Sequence, residues 1–214
     1  MATLTLVIGN KAYSSWSLRP WLALRQAGAR FDEVVIPLRQ PETKATILGW
    51  SAAGKVPVLR YGPVAVWESL AICEFIADLF PEAKLWPDDR SDRAVARAAA
   101  TEMHGGFPEL RKAFPMDLKR ARAPRPVPAE ATPEIGRLTA LWRESRCRAP
   151  ADGPFLFGRF SIVDAMYAPV CTRLDTYGVA LDPVSQAYVD AVLALPAMQE
   201  WRAAAIAEPW ALDY

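Results

Sequence analysis

The stretch GKVPVLRYGPVAVWESLAI, residues 54–72, carries the clearest structural pattern in the sequence. Two short apolar runs, residues 56–61 and 64–67, flank the turn-forming pair Gly62-Pro63, which is the pattern of a β-hairpin. Residues 69–80 follow as an apolar segment whose first residue, a serine, is a good helix N-cap. The stretch therefore predicts a hairpin with a helix packed against it.

The segment before this stretch predicts a strand–helix–strand unit. Residues 3–8 are apolar and rich in β-branched side chains, as expected of a short buried strand. Residues 16–26 carry apolar side chains at helical spacing, and residues 31–38 predict a second strand. The order β-α-β, a loop region, then β-β-α describes a small mixed-sheet α/β layer. We expect this layer to form a domain over residues 1–81.

Strand patterns disappear after this first domain. The polar segment EAKLWPDDRSDR, residues 82–93, is predicted to be a linker, with Ser91 as the cap of the next helix. Ser161 and Asp164 have the spacing of a capping box, which we interpret as the folding signal of a buried helix. The second part is therefore predicted to be an all-helical domain over residues 91–214, with helices over 91–104, from 132, and over 161–177, 184–195 and 197–207.

Composition argues against several functional classes. The net charge is +1 at pH 7 with acids and bases interspersed, so no basic surface for nucleic acid or an anionic membrane is indicated. No apolar run is long enough to span a bilayer. The 3 cysteines, Cys73, Cys147 and Cys171, are far apart, which favours a reducing, cytoplasmic setting over a disulfide framework. Because His104 is the single histidine, neither a metal site nor a Ser-His-Asp triad is expected.

The dipeptide Val56-Pro57 opens a predicted strand. If its peptide bond is cis, the chain turns sharply and presents the backbone N–H and C=O of Val56 to an extended peptide ligand. Only about 5% of X-Pro bonds in folded proteins are cis. The dipeptide alone therefore predicts a trans proline at an edge strand.

Glu68 and Ser69 lie where a strand passes into a helix. The simpler interpretation is that Ser69 is the N-cap. The same geometry also forms an anion site, because free N–H groups and the positive helix end attract a carboxylate. Glu68 adds a negative group that pairs with an ammonium. Together the two residues suit the amino-acid end of a zwitterionic ligand.

Ser14 and Ser15 lie in the stretch AYSSWSLRPWLAL, residues 12–24, between a strand and a helix. One serine suffices as an N-cap. The other hydroxyl, beside the partial positive charge of the helix end, suits a bound anion such as a thiolate. Each unit by which a thiol pKa falls requires about 1.4 kcal/mol of preferential thiolate stabilisation. A hydroxyl and helix-end N–H groups are able to supply one or two such units.

Taken in this order, the motifs resemble the glutathione S-transferase family over essentially the whole chain. The resemblance implies a thioredoxin-like α/β N-terminal domain and an all-α helical-bundle C-terminal domain. The stretch SSWSLRPWLAL is similar to the serine-type motif of the zeta class, and Ser14, Ser15 and Arg19 match positions of that motif. Trp16 and Trp21 stand where the zeta motif has a cysteine and an arginine. The lack of a cysteine here argues against the cysteine-type reductases of the family.

The resemblance implies roles for particular residues. Ser14 is expected to be the catalytic donor to the glutathione sulfur, with Ser15 as an alternative donor or the helix cap. Tyr13 ranks below them as a thiol donor. The expected glutathione contacts are Lys55 for the glycine carboxylate, the backbone of Val56 before Pro57 for the cysteinyl part, and Glu68 with Ser69 for the γ-glutamyl end.

An electrophile pocket is expected between the domains, lined by the first helix of the second domain. Its residues would be Tyr13, Met103, His104, Phe107 and Arg111, and simple packing of a kinked helix is an equally good interpretation of the last four. The tryptophans Trp16, Trp21, Trp67 and Trp142 are expected in the core or an interface. Arg19 is expected to be a structural ion-pair partner.

The implied activity is that of a glutathione transferase, a cytoplasmic homodimeric enzyme with a role in detoxification. It would use glutathione as cosubstrate, form its thiolate and direct it at a small electrophile, without a metal and without a nucleic-acid or membrane partner. Two alternatives stay open. One is a non-catalytic protein of the transferase fold that binds glutathione or an apolar ligand. The other is a zeta-like glutathione-dependent isomerase, against which the two tryptophan replacements argue.

Overall fold

A four-stranded sheet organises the first part of the chain. The computed structural model describes residues 3–148 and 153–212. The sheet has the order β2-β1-β3-β4, with β1 at Leu4–Gly9, β2 at Asp32–Ile36, β3 at Val58–Tyr61 and β4 at Val64–Trp67. β1 is parallel to β2 and antiparallel to β3, and β3 and β4 form the predicted hairpin.

Three helices cover this sheet, namely α1 (Ser15–Gln26), α2 (Thr43–Trp50) and α3 (Ser69–Leu79). α1 and α3 contribute to the main hydrophobic core. α2 packs on a smaller cluster, in which Ile47 joins Val7 and Val58. The sequence predicts a loop where α2 lies, because Ile47 is the one buried residue of this short helix and no apolar stripe marks it.

Helices make up the regular structure of the second part, after a 3₁₀ turn at Pro81–Ala83. Over the described residues they are α4 (Arg90–Gly105), α5 (Pro108–Ala113), α6 (Thr132–Arg148), α7 (Ile162–Thr176), α8 (Pro183–Leu193) and α9 (Pro196–Ala207). α5 lies where the sequence predicts only an interruption. The observed elements confirm the predicted fold class, an α/β layer followed by an all-helical part.

α7 is buried along almost all of its length and packs against α1, α4 and α8. Its start carries the predicted capping box, in which the Ser161 N–H donates to Asp164 Oδ2 at 2.8 Å. Burial raises the pKa of Asp164 to about 6, although the hydrogen bonds that it accepts act in the opposite direction. Because α1 and α7 share one core, the sheet-containing part and the helical part are in direct contact through their helices.

The structure corrects the predicted start of α4. Asp89, not Ser91, is the N-cap, and its Oδ1 accepts the N–H groups of Ser91 at 2.8 Å and Asp92 at 2.9 Å. The predicted domains, residues 1–81 and 91–214, include residues 1–2, 149–152 and 213–214, which lie outside the described residues. Among the described helices, none is long and apolar enough to cross a membrane.

Candidate functional site

A pocket opens where α1, the loop before β3 and the start of α3 meet. Its volume is about 310 Å³. Two sequence motifs meet in its wall, GKVPVL at the start of β3 and WESLAI at the start of α3. Together they contain all of the residues that were predicted to contact glutathione. The lining consists of Trp16, Ala53, Lys55, Val56, Pro57, Trp67, Glu68 and Ser69.

The Val56–Pro57 peptide bond is cis. The trans conformation predicted from the dipeptide is therefore wrong. The predicted edge position is also wrong, because Pro57 directly precedes β3, which is paired on both sides with β1 and β4. Val56 and Pro57 both lie in the pocket wall, where Val56 is half-buried and Pro57 is buried.

Glu68 occupies the N-cap position of α3, where the sequence predicts Ser69. Its φ of 66° lies in the left-handed region that side-chain-bearing residues rarely adopt. The Glu68 carboxylate is half exposed, and its Oε2 lies 3.3 Å from His104 Nε2 of α4. Ser69 is buried, and its hydroxyl accepts a long hydrogen bond of 3.5 Å from Arg19 Nη1. As the first residue of α3, Ser69 has a backbone N–H without an acceptor inside the helix.

The serine pair lies at the start of α1. Ser14 is the N-cap residue and is buried, with 5% of its surface exposed, whereas Ser15 is more open. The Ser14 Oγ does not cap the helix; it lies 2.7 Å from the Oγ of Ser17. The Ser17 Oγ in turn accepts the Gly9 N–H at 3.1 Å. Trp16 borders the pocket directly, and the described lining includes neither serine.

Arg19 does not form the predicted ion pair. Its guanidinium is buried, and within the described residues no carboxylate lies at salt-bridge distance and its Nε has no hydrogen-bond partner. Its Cζ instead lies 4.2 Å from the ring centroid of Trp16, and the Cζ of Arg111 lies 4.8 Å from the same centroid. Burial, and then the charge of Arg111, lower the pKa of Arg19 to about 9. The pocket is therefore backed by a buried cation.

Two of the residues predicted to line an electrophile pocket reach the Trp16 side of this site. The His104 ring stands edge-on to Trp16 at 5.2 Å, and Arg111 donates to the Met103 and His104 carbonyls. Burial, and then the charge of Arg19, lower the pKa of His104, so the ring is neutral at pH 7 and donates Nε2–H to the Glu68 carboxylate.

The other residues predicted for the electrophile pocket lie in packed surroundings. Met103 and Phe107 are buried in the main hydrophobic core, and Tyr13 belongs to the same cluster. Of the two interpretations that the sequence left open for Met103 and Phe107, the structure shows packing in the core. These three side chains are therefore less accessible to a second substrate than His104 and Arg111.

Sequence reasoning did not place Ala53, Trp16 or Trp67 in the pocket wall. Trp16 and Trp67 were expected in the core or an interface, yet both line the pocket, and Trp67 is half exposed. Trp21 and Trp142 are buried as predicted. Their positions in the sequence could have indicated a place in the pocket, because Trp16 directly follows the serine pair and Trp67 directly precedes Glu68.

The cysteines near the core are poor nucleophiles. Burial raises the pKa of Cys73 to about 12, and it raises the pKa of Cys171 as well. Among the described residues, no group of three or more histidine, cysteine or carboxylate side chains is arranged to hold a metal ion.

Comparisons with known proteins give one consistent family. The model for the glutathione S-transferase N-terminal domain matches residues 13–79, and the model for the C-terminal domain matches residues 93–204. Human glutathione S-transferase omega-2 is 27% identical over 197 residues, which is 91% of this chain and 73% of that protein. A probable maleylacetoacetate isomerase of Caenorhabditis elegans is 31% identical over 96 residues, 45% of this chain and 44% of that protein.

Solved structures agree in fold. A glutathione transferase homologue from Burkholderia, crystallised with bound glutathione, matches with a TM-score of 0.71 at 22% identity, over 96% of this chain and all of that one. The β-etherase LigF from Sphingobium matches with a TM-score of 0.69 at 21% identity, over 93% and 98% of the two chains. Since the C-terminal family model alone matches more than half of the residues, the chain belongs to the glutathione S-transferase family of enzymes.

Proposed function

We propose that this protein binds reduced glutathione in the pocket beside α3 and activates its thiol for attack on a small electrophile. One observation carries the proposal. A single pocket of about 310 Å³ combines the Val56 backbone, which suits an extended peptide, with the Glu68 carboxylate and the start of α3, which suit an amino-acid zwitterion. Glutathione is a peptide with such a zwitterion at one end.

The proposed orientation of glutathione follows from the charges in the pocket wall. The γ-glutamyl ammonium pairs with Glu68, and the α-carboxylate accepts the Ser69 N–H at the positive end of α3. The cysteinyl backbone pairs with the N–H and C=O of Val56. The glycine carboxylate lies toward Lys55, which is exposed at the rim.

The proposed thiol donor is Ser14, assisted by Ser15 and the start of α1, with Tyr13 ranked below them. The hydrogen bonds around Ser14 favour this role. Because Ser17 Oγ accepts the Gly9 N–H, Ser17 is able to donate its own proton to Ser14, which then donates to sulfur. Three bonds oriented in one direction reinforce each other. The thiol proton leaves to solvent, and the thiolate attacks the electrophile.

The electrophile is proposed to enter from the side of α4. His104 and Arg111 flank Trp16 there, so the second substrate would contact an aromatic ring that lies between a neutral imidazole and a guanidinium cation. The division into domains at residues 1–81 and 91–214, a homodimeric assembly, a cytoplasmic setting and a detoxification role belong to the same proposal.

A glutathione-dependent isomerase is the second candidate function. It is favoured by the 31% identity with the probable maleylacetoacetate isomerase, which covers 96 residues. In an isomerase, the thiolate adds to the substrate and is expelled again, so glutathione is not consumed. Measuring glutathione consumption during turnover separates the isomerase from the transferase.

The test is a calorimetric titration with reduced glutathione and with S-methyl glutathione, in two buffers of different ionisation enthalpy. We expect tighter binding of the free thiol, with proton release for that ligand alone. Equal binding without proton release would indicate a non-catalytic glutathione-binding protein. Failure of both ligands to bind contradicts the proposal.

Substitution of both serines by alanine tests their part in the reaction. We expect Ser14→Ala/Ser15→Ala to lose proton release and most of the turnover, because neither serine hydroxyl remains to donate to sulfur. Ser145→Ala, which also alters a buried serine but lies on α6, is the matched control and should behave like the wild type. Unchanged turnover in the double variant would remove the serines from the mechanism.

A further inference from the structure

The loop between β1 and α1, residues 10–14, is held by a carboxylate that lies almost two hundred residues away in the sequence. Glu208 Oε1 accepts the backbone N–H of Lys11 at 2.7 Å, and Glu208 Oε2 accepts the N–H of Ala12 at 3.3 Å. Lys11 and Ala12 are both buried. Without this carboxylate, two backbone donors would be left in a site that water reaches poorly.

The acceptors of the same two residues are also bound by the helical part. The Trp201 Nε1–H of α9 donates to the Lys11 carbonyl at 2.9 Å, and the Leu118 N–H donates to the Ala12 carbonyl at 3.1 Å. All four backbone polar groups of Lys11 and Ala12 are therefore satisfied by residues between 118 and 208. No strand or helix of the sheet-containing part supplies any of these four bonds.

Glu208 is itself fixed in place. It follows the last residue of α9 as the C-cap, its N–H donates to the Ala204 carbonyl at 3.2 Å, and the Lys119 ammonium donates to its backbone carbonyl. A carboxylate held in this way accepts two N–H groups as a rigid fork. Hydrogen bonds to a charged acceptor are among the stronger ones in proteins.

The turn that Glu208 holds leads directly to the serine pair. The Asn10 carbonyl accepts the N–H groups of Tyr13 at 3.1 Å and of Ser14 at 2.8 Å, so the position of Ser14 follows from the conformation of residues 10–13. We propose that Glu208 is a positioning residue, which fixes Ser14 and the start of α1 through the Lys11 and Ala12 amides. The catalytic part of this proposal rests on the proposed function, whereas the structural part does not.

The first experiment measures backbone hydrogen exchange at Lys11 and Ala12 in the full-length protein. Glu208→Ala should speed exchange at both amides by about tenfold, the effect of losing a hydrogen bond to a charged acceptor. Glu208→Gln keeps one acceptor oxygen and should affect one amide more than the other. Glu200→Ala is the matched control, because Glu200 lies on α9 but pairs with the exposed Arg25. Unchanged exchange at both amides in Glu208→Ala and Glu208→Gln overturns the proposal.

The second experiment measures turnover and the glutathione KM for the same variants. We expect kcat to fall about tenfold in Glu208→Ala, less than the roughly hundredfold cost of a 1 Å misplacement, while the KM for glutathione stays within about twofold. Among the described residues, Glu208 forms no hydrogen bond or ion pair with the pocket wall, so a general loss of binding is not expected. If Glu208→Ala fails to fold, Glu208→Gln carries the same test with a smaller expected effect.

The outcomes separate this proposal from the proposed function. A wild-type protein that binds no glutathione contradicts the proposed function, whatever the exchange rates are. A wild-type protein with normal turnover, together with a Glu208→Ala variant of equal kcat, overturns the positioning role alone. If kcat falls equally in Glu200→Ala, the effect comes from a less stable α9, and this result would also overturn the positioning role of Glu208.

Discussion

Ser17→Ala isolates the hydrogen-bond chain behind the proposed thiol donor. Ser17 is fully buried, with its Oγ 3.1 Å from the Gly9 nitrogen and 2.7 Å from Ser14 Oγ. The substitution leaves the Gly9 N–H unsatisfied, which costs about 1–3 kcal/mol of unfolding free energy. It also removes the only side chain that is hydrogen-bonded to the Ser14 hydroxyl among the described residues.

Ser17→Ala should also change the pKa of the bound thiol. One neutral hydrogen bond contributes about 1 kcal/mol, so the loss of the Ser17 donor should raise the pKa of the bound thiol by about 0.7 unit. The same loss lowers kcat/KM about fivefold at a pH below that pKa. The thiol pKa is read from the ultraviolet absorbance of the bound thiolate during a pH titration, and the unfolding free energy from urea denaturation.

A matched control separates the two effects. Ser185→Ala also removes a fully buried hydroxyl, one that donates to Asp182 Oδ2 at 2.7 Å, but at the start of α8. We expect this control to lose stability with a wild-type thiol pKa. If Ser17→Ala shows the same pattern as the control, the reasoning is refuted and Ser17 contributes only to packing.

Three further predictions concern charge and helix caps. Glu68→Gln should weaken glutathione binding up to about fivefold in calorimetry, as expected for one partly exposed ion pair, and Glu74→Gln on the same helix should not. The pKa of Asp164 is raised from 3.8 to about 6 in the folded state, which therefore binds the proton more tightly than the unfolded state does. The unfolding free energy of the wild type, relative to that of Asp164→Asn, should fall as pH rises from about 4 to about 6. A difference between the two proteins that does not change with pH in urea titrations would contradict this. Asp89→Ala should cost about 1 kcal/mol of stability, and Ser91→Ala should cost much less, because Asp89 alone caps α4 through its side chain.

Local signals predicted most of the fold. The hairpin around Gly62-Pro63 and the capping box at Ser161 and Asp164 rest on contacts between neighbours in sequence, and both were confirmed. α2 escaped prediction because a single buried residue, Ile47, attaches it to the sheet, so its sequence carries no periodic apolar pattern.

The candidate site was less predictable because its chemistry depends on burial and distant partners. The sequence predicted an ion pair for Arg19, but only the packing of α1 against α3 and α7 shows that its guanidinium is buried, with no carboxylate at salt-bridge distance among the described residues. Trp16 and Trp67 were identified as apolar residues, and nothing in a hydropathy pattern distinguishes a pocket wall from a core. The link between Lys11 and Glu208 joins residues too far apart in sequence for any local pattern to record.

The distance in sequence between this loop and its carboxylate has a consequence for protein synthesis. Chains are made from the N-terminus, and early segments begin to fold before later ones exist. The four strands and their hairpin are complete once β4 has emerged from the ribosome, but the Lys11 and Ala12 amides find their acceptor only after residue 208 has been added. The loop that leads to Ser14 therefore gains its full set of hydrogen bonds only after α9 has been made, long after the strands beside it.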